Sequence, residues 1–255
     1  MTRYRKPYRV KRKKSILRSR LFWRIVLVLV FIGVSFYFIF LSPIFKIKKI
    51  DISGNQEIQT EDIKSMIKTG NIFLADLGMA KKIISEKFPQ IALIDIERKF
   101  PDKIIVRIEE RKAVAVFCQQ DNCFLIDKEG VIFAPIRNDI SNGVIKIQKL
   151  DEDGPRPDLR LGDKVLENNL ISSALTIESK LKDDFEIAIE EFLVVSNERL
   201  NVKTDESWEI YFDPTEDLNW QATKLKAVLE QEISRERRKD LQYIELRFGN
   251  LASYK

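Results

Sequence analysis

Ile25 to Phe45 (IVLVLVFIGVSFYFIFLSPIF) is a run of 21 residues without a single charge. A helix rises about 1.5 Å per residue, so this stretch is long enough to cross a hydrocarbon core of roughly 30 Å. A buried helix of a soluble domain would carry a polar stripe, and this run has none. The competing reading is a cleaved signal peptide, whose apolar region is about 7–15 residues long and ends at a small-residue cleavage site. Here the run is longer and finishes in Leu41-Ser42-Pro43-Ile44-Phe45 with no A-x-A pattern. The expectation is an uncleaved anchor that spans a membrane once.

Charge sets the orientation. Eleven Lys or Arg lie in the first 24 residues, and no Asp or Glu precedes Asp51. Removing these eleven from the 44 basic residues leaves 33 against 39 acidic, so the remainder is net −6 and the overall +5 describes the tail. Basic flanks stay in the cytoplasm, which makes 1–24 a cytoplasmic tail and sends everything after the span to the other side. Phe22 and Trp23 then sit at the inner interface and Phe45 near the outer one. Tyr4 and Tyr8 interleave with the basic residues, a pattern also met in nucleic-acid binders. No fold surrounds the run to organise bases, so topology and anionic lipid headgroups are its expected uses.

About 210 residues follow, room for one large domain or two small ones. Ile47–Ile52 reads as a strand ending at the turn Ser53-Gly54-Asn55. Thr60 is the expected N-cap of a helix with Glu61 and Asp62 in its first turn, Ile63, Met66 and Ile67 on its apolar face, and Gly70 at its end. A second helix carries Leu77, Ala80, Ile83 and Ile84 and stops before Pro89. Ile94–Glu97 and Ile104–Glu109 alternate apolar and charged residues across the turn 98–102, as paired strands do. Strand, helix, helix, strand, strand makes a compact α+β module over 46–111.

The remainder, 112–255, is mostly strands. Val114–Cys118 and Cys123–Asp127 flank the polar turn Gln119-Gln120-Asp121-Asn122. Further strands are expected at Val131–Ala134, Val144–Ile147, Ile187–Val195, Leu200–Lys203, Trp208–Phe212 and Tyr243–Phe248. Two helices interrupt them, one with Leu170, Ala174, Ile177 and Leu181 on a face, the other with Leu218, Ala222, Leu225, Val228 and Leu229. Arg235–Lys239 reads as the solvated end of the second helix, and Pro155 and Pro157 mark a surface loop. Cys118 and Cys123 should lie side by side across a hairpin, at a separation a disulfide can span, in a compartment that permits oxidation.

Catalytic chemistry is hard to assemble. The chain has no histidine, which removes Ser-His-Asp and Cys-His catalysis and the common zinc sites. Nine glycines form no phosphate-binding loop. Ser65-Met66-Ile67-Lys68, Ser53-Gly54-Asn55 and Lys68-Thr69-Gly70 reproduce the three strings of penicillin-binding enzymes. They fall within 18 residues, in the wrong order, and Lys68 would serve twice, so a helix with its flanking turns is the better reading. No enzyme, no cofactor, no metal and no small-molecule substrate are expected.

The order of elements, together with several strings, resembles the FtsQ/DivIB family of bacterial cell-division proteins. The strings are Ile50-Asp51-Ile52-Ser53-Gly54-Asn55, Phe88-Pro89-Gln90-Ile91, Arg98-Lys99-Phe100-Pro101-Asp102 and Ile104–Arg111 followed by Ala113-Val114-Ala115. In the second domain they are Leu125–Phe133 (LIDKEGVIF) and Tyr243–Asn250 (YIELRFGN), with Glu245 where Asp is usual. The likeness covers almost the whole chain, with 138–206 similar in pattern only. It implies that 46–111 is a POTRA domain and 112–255 the family's β domain. It also implies a non-enzymatic scaffold at the division septum, holding FtsB/DivIC-like and FtsL-like membrane proteins and influencing septal peptidoglycan synthesis.

The same resemblance points to Tyr243 as a partner contact. Residue pattern gives a wider set, because Tyr243, Ile244, Glu245, Leu246, Arg247 and Phe248 form the last expected strand, which nothing later should cover. An open edge accepts a partner strand through backbone hydrogen bonds. Ile244, Leu246 and Phe248 should face the core, leaving Tyr243, Glu245 and Arg247 for selectivity. Two other classes remain open. A POTRA-bearing outer-membrane transport or secretion partner would need a β-barrel, and the helix at Leu218–Leu229 and the charged strands argue against one. A membrane-anchored envelope sensor would need a ligand pocket.

Overall fold

The computed structural model describes residues 20–120, 122–136, 144–150, 158–234 and 236–255. The expected surface loop at Pro155 and Pro157, and most of the basic tail, lie outside these residues. Helix α1 runs from Arg20 to Leu41, with no buried residue along its 22 positions. At about 1.5 Å per residue it reaches about 33 Å. It is the one helix among the described residues long and apolar enough to cross a membrane, which fits a single-pass protein. The helix starts earlier and stops earlier than the uncharged run. Pro43 has no N–H to continue it, so Ser42 caps a short 3-10 turn at Pro43–Phe45 by accepting the Ile44 N–H at 3.2 Å.

An α+β module follows: β1 (Lys49–Ser53), α2 (Thr60–Met66), α3 (Leu77–Lys87), β2 (Ile91–Lys99) and β3 (Lys103–Glu110). The sheet order is β1-β3-β2, with β1 parallel and β2 antiparallel to β3. The alternation read in the sequence is the register itself. Ile104 and Val106 are fully buried under the helices with Ile63, Ile72 and Ile84, while Asp95, Glu97 and Arg107 pair on the open face. Gly54 turns the chain at φ +88, where a Cβ would clash with the Ile108 carbonyl.

Three local expectations change. Thr60 is the first helical residue and Gln59 takes the cap position, because the Thr60 hydroxyl is occupied by the Asn55 amide at 3.1 Å. Helix α2 ends at Met66 instead of Gly70. Residues 70–72 are drawn onto the chain leaving the membrane helix, where Ile47 N–H donates to Gly70 and Ile72 N–H to Phe45, and Ile67 goes extended to bury its side chain. Ile83 is exposed rather than on the buried face.

The second module is a nine-stranded sheet in the order β12-β11-β10-β9-β8-β7-β4-β5-β6. Its strands are β4 (Ala115–Gln119), β5 (Asn122–Ile126), β6 (Ile132–Pro135), β7 (Ile145–Lys149), β8 (Ile189–Ser196), β9 (Arg199–Thr204), β10 (Glu209–Phe212), β11 (Tyr243–Glu245) and β12 (Ser253–Tyr254). Helices α4 (Asn168–Phe185) and α5 (Leu218–Gln231) cover one face. Leu170, Ala174, Ile177, Leu181, Leu225 and Val228 bury against Phe192, Trp208 and Phe212. Strand β4 is buried on both faces. Its Val116 and Cys118 join Leu125 and Phe133 in a small cluster on the opposite side. The charged run after α5 is not its end. The helix stops at Gln231, and Arg237–Asp240 form a separate 3-10 turn.

Candidate partner interface

The expected docking strand lies at one end of the large sheet. Strand β11 pairs parallel to β10, with Tyr243 opposite Glu209 and Ile244 opposite Ile210. A parallel neighbour needs a crossover, and α5 supplies it. The strand is held from below by Lys224 of α5, whose ammonium donates to the carbonyls of Leu246 and, at 3.1 Å, Gly249. Lys224 is a buried lysine. Burial holds its pKa below the ordinary lysine range, with Glu245 opposing part of that shift.

The outer edge of β11 is not open. Ser253 and Tyr254 fold back antiparallel on it, opposite Glu245 and Ile244. Lys255 and Tyr243 exchange both backbone bonds, at 3.1 and 3.3 Å. Strand β12 is therefore the terminal strand of the described sheet. In an antiparallel ladder the residue beside a bonded pair turns its main chain the other way. Tyr254 accordingly faces its N–H and C=O outward.

The six side chains expected to bind divide differently from the alternation. Ile244 and Leu246 are fully buried, so neither side chain reaches a partner. Phe248, expected in the core, is 66% exposed. The strand stops at Glu245, whose carboxylate takes the Arg247 backbone N–H at 3.0 Å and its guanidinium at 2.9 and 2.7 Å. That pairing raises the Arg247 pKa. It also bends the chain before Phe248, with the guanidinium 4.6 Å from the Phe248 ring centre. Glu245 and Arg247 thus satisfy each other. Tyr243 stacks on Tyr211 at 5.1 Å between ring centres, and Arg199 lies over Tyr211 at 4.6 Å. Desolvation, then Glu209, pushes the Tyr211 hydroxyl pKa up.

Besides Phe248, three exposed apolar side chains were not singled out by the sequence pattern: Trp220, Leu251 and Tyr254. Trp220 stands one turn before Lys224 on α5, the side that meets Leu246 and Gly249. Exposed apolar side chains this close in sequence to a terminal strand make it a candidate interaction surface.

At the far end of the sheet, Cys118 and Cys123 are cross-strand partners with Cα atoms 4.2 Å apart, joined as a disulfide. The strands run further than the sequence pattern implied, so Gln119 pairs with Asn122 and the hairpin loop is only two residues. No cluster of three or more His, Cys, Asp or Glu suited to a metal occurs among the described residues. The penicillin-binding strings are structural: Ser65 Oγ donates to the Asp62 carbonyl, and the Asn55 amide to that of Ile58.

A membrane helix, a small β-α-α-β-β module against its end, and a large sheet backed by two helices together describe a membrane-anchored POTRA protein with a β-rich second domain. The FtsQ-type POTRA domain matches residues 45–111. The C-terminal domain of cell division protein FtsQ/DivIB matches residues 115–247, just over half the chain. This chain belongs to the FtsQ/DivIB family.

Among curated relatives, the cell division protein DivIB of Clostridium acetobutylicum is 38% identical over 112 residues, 43% of each chain. DivIB of Clostridium tetani is 24% identical over 200 residues, covering 75% of this chain and 72% of that protein. Cell division protein FtsQ of Syntrophotalea carbinolica is 35% identical over 98 residues, 37% of this chain and 34% of that one. The chain thus spans less than half the length of the first and third of these relatives.

Proposed function

We propose that this protein is a non-catalytic scaffold of the bacterial division machinery. In this reading 1–24 is a cytoplasmic tail, 25–45 the membrane segment, and 46–111 and 112–255 the two exported domains. It recruits FtsB/DivIC-like and FtsL-like membrane proteins to the septum and through them helps control septal peptidoglycan synthesis. Family membership supports the division role, since the relatives carry division-protein names. The observation that carries the recruiting role is the sheet end at β12, a two-residue edge strand that carries exposed Tyr254 and follows exposed Phe248 and Leu251. A partner strand added there gains backbone pairing, and the apolar side chains give it an anchor. Short edges of this kind are normally protection against unwanted pairing, so selectivity must come from the flanking side chains.

The test is capture of FtsB/DivIC-like and FtsL-like proteins by the full chain in detergent, combined with a fluorescent fusion in dividing cells. Capture and a midcell band are expected. A uniform envelope signal with no capture would overturn the reading.

A further inference from the structure

A line of aromatic rings connects the membrane helix to the POTRA-like domain. Phe36 and Phe40 of α1 lie 4.4 Å apart, Phe40 is 6.4 Å from Phe73, and Phe73 is 5.2 Å from Phe45 and 4.9 Å from Phe100. Phe73 sits in the loop after α2 and Phe100 in the turn between β2 and β3, so neither belongs to the span. Phe73 and Phe100 are about half exposed and Leu74 more so. The loop is fixed rather than loosely apposed. The Asn71 amide donates to the carbonyls of Ile39 and Phe40 at 2.7 and 3.1 Å, satisfying the end of α1. Arg98 donates from β2 to Ile72 and Ala75 at 2.8 and 2.6 Å.

The same end of the small sheet carries a second, independent feature. Lys49, Lys103 and Lys99 occupy one row across its three strands. They share the open face, because the next row, Ile50 and Ile104, belongs to the core. Like charges directly opposite one another destabilise a sheet. Asp51 neutralises the middle lysine, and neither Lys49 nor Lys99 has an ion-pair partner among the described residues. Three lysines beside an exposed aromatic cluster, at the mouth of an apolar helix, match the chemistry of a lipid headgroup layer. Aromatic rings favour that layer, and basic residues bind its anions.

We infer that the POTRA-like domain is seated on the membrane surface, with Phe73, Leu74 and Phe100 in the headgroup region and the Lys49–Lys103–Lys99 row binding anionic phospholipid. Lipid is the occupant because the patch is continuous with α1, so whatever solvates Phe36 and Phe40 also meets Phe73. The seat holds the domain at a set angle to the bilayer and thereby aims the large sheet. The inference rests on α1 crossing the membrane.

The test uses the full chain with Trp23→Phe, with and without Leu74→Trp, reconstituted in vesicles of phosphatidylcholine alone or mixed with phosphatidylglycerol. The difference between the two proteins isolates the emission of the introduced tryptophan. Retention through an alkaline wash is expected, and release would overturn the span reading and the seat with it. In retained protein, brominated lipid should quench the new tryptophan and aqueous acrylamide should reach it poorly. Free access to acrylamide with no bromine quenching would overturn the seat while leaving the span intact, and would assign the patch to a protein partner. Phosphatidylglycerol should strengthen the bromine quenching, and salt should weaken it. Lys49→Gln with Lys99→Gln, which removes repulsion and so spares the fold, should lower the seated-to-unseated ratio in the mixed vesicles by about fivefold per lysine. An unchanged lipid dependence in that variant would show that the lysine row does not bind headgroups.

Discussion

Arg111 and Asp127 form an ion pair between the POTRA-like domain and the β domain, with 13% and 5% of their side chains exposed. Arg111 is also held on the POTRA side, where its backbone N–H donates to Gln90 at 2.7 Å and its Nε to Pro89 at 3.2 Å. On the β-domain side, Asp127 Oδ1 accepts the N–H groups of Glu129 and Val131, both at 3.0 Å, and so also builds the turn into β6. The two roles of this carboxylate separate by substitution. Asp127→Asn keeps an oxygen for the turn but removes the charge, leaving Arg111 largely buried with only the exposed Glu129 nearby. Breaking such a pair costs about 3 kcal/mol. Asp127→Ala should cost about 1–3 kcal/mol more, because two N–H groups lose their acceptor. Denaturant unfolding of the full chain in detergent measures both, and an Asp127→Asn protein as stable as the parent would show that the pair contributes nothing.

The buried Lys224 predicts a pH dependence. Its pKa is lowered in the folded state by desolvation, so the unfolded chain binds the proton more tightly. Stability contributed by this group therefore rises with pH between the depressed folded pKa and the ordinary lysine value, and it is least below that window. Tyr211 acts in the opposite sense, because its raised pKa means that stability falls as the unfolded phenol ionises first. Comparing the parent with Lys224→Met isolates the lysine. The variant should lose the upward slope in the alkaline range and, with Leu246 and Gly249 carbonyls orphaned, be destabilised near neutrality by about 1–3 kcal/mol. Parallel stability–pH curves for the two proteins would refute the titration.

Periodicity made most of the fold legible. The two-residue alternation of β2 and β3 and the apolar faces of α4 and α5 state directly which side is buried, and the structure follows them, whereas on α3 Ile83 leaves the expected face. The sheet end was less legible for physical reasons. Strand β12 has only two residues, too few to display a period. Phe248 continues the apolar alternation of Ile244 and Leu246, and only the Glu245–Arg247 bridge takes it out of the strand. Lys224 reads as a solvated residue on an amphipathic helix, and its burial depends on carbonyls 22 and 25 residues away. Exposed Trp220 and Leu251 carry no local signal that separates them from core residues.

The hairpin cysteines predict a covalent bond in the β domain, which the proposed orientation puts outside the cytoplasm. Cys118 and Cys123 are register partners, and oxidation is favoured outside the cytoplasm. Alkylation of the denatured, unreduced protein should label neither, and labelling of both would refute the bond. The loop closed is short, so replacing both with alanine should cost only about 2 kcal/mol.

The last prediction separates a docking edge from a mere end of the sheet. Tyr254 turns its N–H and C=O away from β11, whereas the main chain of Lys255 bonds Tyr243. Proline at 254 therefore removes an outward donor without removing a bond that holds β12, and edge positions tolerate its φ. Tyr254→Ala controls for the lost ring. Leu251→Glu tests the apolar anchor at a side chain 83% exposed, where surface substitution changes stability by about 0.5 kcal/mol or less. If a partner strand adds to β12, Tyr254→Pro should weaken capture of the FtsB/DivIC-like protein beyond Tyr254→Ala. Leu251→Glu should weaken it by about tenfold, as loss of a buried anchor of more than 1 kcal/mol does. Tyr243→Ala removes the Tyr211 stack and should cost both stability and capture, so it cannot decide alone. Arg247→Glu sets a second acid against Glu245 and is expected to disturb the bend before Phe248, so it too reports on folding as well as binding. If Tyr254→Pro and Leu251→Glu both keep the parent's melting temperature and the parent's affinity, the partner docks elsewhere and β12 only completes the sheet.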